Sequence, residues 1–60
     1  MKINKELIKK FRTENMYSIR DFASLVGITP STVMRIEKTG NTTTINARKL
    51  AIVINKNILV

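Results

Sequence analysis

The sequence predicts an all-α fold: one compact domain over residues 1–60, built from four helices, with a short fifth at the tail as the one optional element. Three observations carry that prediction. Apolar residues recur at three- and four-residue spacing in four separate segments. A side chain able to cap a helix precedes each segment, and glycine or asparagine follows each. Glycine occurs only at Gly27 and Gly40, and proline only at Pro30. All three stand at segment edges, where a break is harmless.

The first segment is INKELIKKFRTEN. Asn4 is its expected N-cap, and Glu6 lies in the first turn, where the helix dipole favours an anion. Leu7, Ile8 and Phe11 form the apolar stripe, with Ile3 as a staple before the cap. Lys5, Lys9 and Lys10 take the wet side, and the pattern fades at Asn15. The second segment is SIRDFASLVG. Ser18 and Asp21 make a capping-box-like start. Ile19, Phe22, Ala23 and Val26 follow at helical spacing, and Gly27 supplies a left-handed end without a Cβ clash. Met16, Phe22, Leu25 and Val26 are expected in the core, with Tyr17 as a partly buried lid.

The third segment, TPSTVMRIEK, has Thr29 as N-cap and Pro30 at the first helical position, where a missing N–H costs nothing. Val33 and Ile36 point inward, and Gly40 closes the segment or the turn after it. NTTT then forms a polar loop whose last two residues, Thr43 and Thr44, compete as the next cap. In INARKLAIVIN, Ala47, Leu50, Ala51 and Ile54 make a core stripe. The β-branched run from Ala51 to Ile54 also fits a strand. The strong helix formers before it favour a helix, with Asn55 as its left-handed end.

Composition narrows the function. The chain has 60 residues, 11 Lys and Arg against 4 Asp and Glu, a net charge of +7, and neither cysteine nor histidine. The isoelectric point of about 10.4 exceeds the level of about 9 that marks a nucleic-acid-binding surface. Without histidine or cysteine the usual general base, nucleophile and soft metal ligands are gone. The four carboxylates form no defensible pair, so the expectation is no enzyme, no metal and no cofactor. The apolar ending is too short to span a bilayer and no targeting segment is apparent, so a cytoplasmic protein is expected.

The two middle segments joined by Gly27-Ile28-Thr29 form a helix-turn-helix pattern. Ala23 is small where the helices approach, Gly27 permits the turn, and Ile28 and Val33 plug the angle. The stretch SIRDFASLVGITPSTVMRIE, residues 18–37, resembles the phage repressor and Cro-like (Xre-type) helix-turn-helix family. The match rests on Ala23, Gly27, Ile28, Thr29 and the ending Arg35-Ile36-Glu37, and the flanking helices extend it over nearly the whole chain. The resemblance implies a lambda-repressor-like domain that places its recognition helix, residues 30–37, in the major groove of double-stranded DNA.

The resemblance also implies roles for particular residues. Pro30, Ser31, Met34 and Arg35 would face base edges. Arg35 is suited to the O6 and N7 of guanine, Ser31 to several bases, and Pro30 and Met34 only to apolar contact such as a thymine methyl. Ser18, Thr29, Thr32, Lys38, Asn41 and Thr42 would hold phosphates. Arg12 and Glu37 would form a structural ion pair. Two departures from the pattern are Ile19, where the family often has glutamine, and Pro30, where a polar base reader is common.

The expected function is therefore that of a sequence-specific repressor or phage-type switch protein that occupies an operator. The alternative is a protein-binding regulator, antirepressor- or antitoxin-like, motivated by the apolar Pro30 and Met34 on the recognition face. Ile58, Leu59 and Val60 are expected to form an edge that pairs two copies, the competing reading being that they tuck back against the first helix.

Overall fold

The computed structural model describes all 60 residues. Helix α1 spans Lys5–Glu14, α2 Ile19–Val26, α3 Pro30–Thr39 and α4 Thr44–Ile54. Each starts on a side-chain cap. Asn4, Ser18, Thr29 and Thr43 accept from the backbone N–H of Leu7, Asp21, Thr32 and Asn46. The cap of α4 is thus Thr43 rather than Thr44, and the Ala51–Ile54 run is helical. Gly27, Gly40 and Asn55 end the last three helices in the left-handed conformation.

The helices close around one core of Ile3, Ile8, Phe22, Ala23, Val26, Val33, Ile36, Ala47, Leu50, Ile54 and Ile58. Phe22 lies at its centre, with Phe11 and Tyr17 tilted against it at ring separations of 6.1 and 6.4 Å. Tyr17 is half-buried, as a lid would be. Lys5, expected on the wet side, and Lys49 each reach the C-terminal end of another helix. Lys5 Nζ donates to the Lys38 carbonyl at 3.1 Å and Lys49 Nζ to the Gly27 carbonyl at 3.3 Å. A cation at these ends complements the negative pole of α3 and of α2.

Two expected core residues lie outside the core. Met16 is 90% exposed and Leu25 is 48% exposed. Leu25 falls off the stripe set by Phe22, Ala23 and Val26, at the edge of the buried face of α2. Met16 is displaced by the way α1 ends. Its N–H donates to the Thr13 carbonyl and the next N–H, of Tyr17, to that of Arg12. This pair of bonds is a Schellman closure, whose pivot residue takes the left-handed conformation. Met16 is that pivot, with φ of 60°, and its side chain is thrown into solvent.

No fifth helix forms. After Asn55 the chain turns back, and Leu59 makes an antiparallel bridge with Ile3. On the other side, Lys2 bridges Asn41. The first four residues therefore lie between the tail and the loop that follows α3. Asn4 N–H donates to the Ile58 carbonyl at 2.7 Å, Ile3 N–H to Gly40 at 2.8 Å, and Thr42 N–H to Met1 at 2.9 Å. Ile58 is buried by this arrangement. Of the three residues expected to meet a second copy, Ile58 is consumed by the core, and only Leu59 and Val60 stay exposed.

Candidate nucleic-acid interface

Helices α2 and α3 are joined by Gly27, Ile28 and Thr29 alone. Gly27 has φ of +88° and open space where a Cβ would stand, so its role is conformational. Gly40 is different: φ is +78°, and a Cβ there would meet the Ile3 carbonyl oxygen at 2.9 Å. This second glycine lets the loop after α3 lie against the N-terminal segment. Ala23 and Val33 are both buried and Ile28 is half-buried, which fixes how α3 sits on α2.

The core holds α3 by Val33 and Ile36. At about 100° per residue, the opposite side of the helix carries Ser31 and Lys38, flanked by Met34 on one side and Arg35 on the other. All four are exposed, as is Pro30. This face of α3 is thus presented to solvent, N-terminal end included. Lys38 stands in the same outward row as Ser31, although its carbonyl also anchors Lys5.

Arg12 and Glu37 tie α1 to α3. Arg12 Nε lies 2.6 Å from Glu37 Oε2, and a second bond of 3.1 Å joins the guanidinium to Oε1. Arg12 also donates to the Tyr17 carbonyl at 3.1 Å. The side chains are only 14% and 10% exposed. The hydrogen bonds to Glu37 raise the Arg12 pKa above its usual value, desolvation works against them, and the nearby carboxylate charge adds to the rise. The pair uses a face of α3 turned away from Arg35.

Arg35 has no such partner. It lines an open polar cleft of about 340 Å³ with Thr32, Asn41, Thr42, Thr43 and Asn46, and no apolar residue borders it. The cleft lies at the start of α4, where the N–H groups of Thr44 and Ile45 have no acceptor within the helix. A cation with hydroxyl- and amide-bearing residues lines the cleft beside a helix N-terminus, a combination that suits an anion. The geometry brings Thr32, Arg35, Asn41 and Thr42 together. It also adds Thr43 and Asn46, which sequence reasoning missed; the signal was the cap position itself, since a cap and its third residue flank the free N–H groups.

The remaining sequence-predicted residues sit apart from this cleft. The Ser18 hydroxyl accepts from Asp21 N–H at 3.0 Å and keeps its own proton free to donate. Asp21 returns no bond, so only half of the capping box forms. The Thr29 hydroxyl caps Thr32 N–H at 3.2 Å and also bonds the Thr32 hydroxyl at 2.8 Å. The Thr42 hydroxyl oxygen is shielded from solvent and bonded to nothing. Thr42 nevertheless lines the cleft beside Arg35.

No helix of the chain is long and apolar enough to cross a membrane. No curated protein and no solved structure matches the sequence. The profile of the helix-turn-helix family matches residues 8–60. With α2 and α3 crossed on a three-residue turn inside a four-helix body, the chain belongs to the Xre/Cro-like helix-turn-helix family of DNA-binding regulators.

Proposed function

We propose that this protein is a sequence-specific regulator that lays α3 in the major groove of an operator and represses transcription by occupying it. The observation that carries the reading is the outward face of α3, where Pro30, Ser31, Met34, Arg35 and Lys38 are all exposed on a molecule of net charge +7. Groove width admits one helix, and a positive surface steers it to the duplex.

Phosphates on either side of the groove are held by two sets of groups. Ser18 at the start of α2 serves one side. Thr32, Lys38, Asn41, the α4 N-terminus and Arg35 serve the other, with Thr29 contributing as cap. Arg12 and Glu37 set the angle of α3 and touch no DNA. The protein acts without cofactor, in the cytoplasm. Two copies on a two-fold site meet through Leu59 and Val60, since Ile58 is withdrawn.

In vitro transcription tests repression. A duplex selected from a random library is placed across a promoter, and transcript is measured against protein concentration. Output falls at concentrations that fill the site, and Arg35→Ala needs more protein for the same effect. Filled sites with unchanged or increased output overturn repression. A protein that binds no duplex, yet is otherwise folded, leaves the protein-binding alternative as the reading.

A further inference from the structure

We propose that the operator is read chiefly through C5 methyl groups of pyrimidines in the major groove, by an apolar edge made of Pro30 and Met34. The inference rests on the DNA-binding reading above and specifies what the recognition helix selects.

Pro30 and Met34 are four residues apart on α3, about 40° apart around its axis, so they form one continuous apolar strip. Met34 is 58% exposed. It has no place in the core, which α3 meets with Val33 and Ile36. Neither residue can donate or accept a strong hydrogen bond from its side chain. Of the groups that base pairs show in the major groove, only the pyrimidine methyl rewards such a surface. The unbranched, polarisable Met34 side chain can adapt its shape to one.

The alternative reader is Arg35, the one fork-shaped side chain on this face. It lies on the opposite flank of the outward row and lines the polar cleft with Thr32, Asn41, Thr43 and Asn46. That cleft offers hydroxyls, amides and the start of α4, a combination that suits a phosphate. A phosphate held in the cleft would occupy Arg35 and leave Pro30, Ser31 and Met34 for the bases. Ser31 bonds to more than one base and discriminates little.

The methyl has two sources, thymine and 5-methylcytosine, and the test separates them. Binding-site selection first supplies a preferred duplex; no enrichment in that step means the sequence-specific reading itself has failed. Anisotropy titrations then compare thymine with uracil at each position, and 5-methylcytosine with cytosine at the positions that respond. Loss of one buried methyl lowers affinity about fourfold. At least one thymine per half-site shows this loss. At that position 5-methylcytosine exceeds cytosine by a similar factor, and a preference for thymine over 5-methylcytosine assigns the natural source to thymine. Met34→Ala, folded to the same melting temperature because Met34 is exposed, levels both differences to less than about twofold. Arg35→Ala lowers affinity for selected and unrelated duplexes alike and reduces the salt slope by about one. Uracil duplexes bound as tightly as thymine duplexes overturn the proposal. So does methyl discrimination that survives Met34→Ala, or an Arg35→Ala variant that loses preference at one guanine only.

Discussion

Arg12 of α1 grips Glu37 of α3 with two hydrogen bonds of 2.6 and 3.1 Å, twenty-five residues apart in sequence. The pair is mostly buried, so each charge depends on the other. Removing either side chain leaves a partly desolvated charge unpaired, at a cost of about 1–3 kcal/mol. Glu37→Ala and Arg12→Met are each expected to lower Tm by roughly 4–8 °C per kcal/mol lost. A double-mutant cycle by thermal melting checks the coupling, and strictly additive losses would refute it.

Met16 marks a place where the sequence works against its own fold. It takes φ of 60° with its side chain in solvent. Met16→Gly is expected to stabilise by about 1 kcal/mol, since glycine meets no Cβ penalty in that conformation. Chemical denaturation measures it as a higher midpoint at unchanged m. A destabilised variant would mean that α1 ends differently.

The two glycines should respond unequally. Gly27→Ala meets only backbone strain, about 1–2 kcal/mol. Gly40→Ala adds a Cβ 2.9 Å from the Ile3 carbonyl oxygen, so its loss exceeds that of Gly27→Ala. Equal losses in parallel melts would show that the N-terminal segment does not lie against the loop.

Thr42→Val separates stability from binding. The Thr42 hydroxyl is buried without a partner, and replacing such a group by a methyl of like shape is neutral or stabilising. The variant is expected to melt at or above the parent temperature and to bind DNA as the parent does. Weaker DNA binding at full stability would make the Thr42 hydroxyl a phosphate ligand.

Much of the fold was legible because its signals are local. Asn4, Ser18 and Thr29 announce helix starts, while Gly27, Gly40 and Asn55 announce ends, each through the conformation of a single residue or its own turn. Met16 was not legible: only the hydrogen bonds of the α1 terminus reveal that a methionine occupies a position glycine would suit. The strap formed by Lys2 and Ile3 was hidden as well. It joins residues 41 and 59 through backbone groups, which carry no side-chain code. At the candidate site, helical spacing exposes the outer face of α3. The cleft beside Arg35 depends on where the start of α4 comes to rest, and a polar loop such as NTTT does not encode that.

The central claim is that an outward, positively charged α3 selects particular duplex sequences. Its most direct test is a binding titration of the selected duplex against an unrelated one over a salt series. With about five phosphates held per subunit, log affinity should fall with log salt at a slope of about −4 to −5. The selected duplex should bind about a thousandfold more tightly than the unrelated one at physiological salt. Equal affinity for both duplexes, or affinity indifferent to salt, would contradict the account.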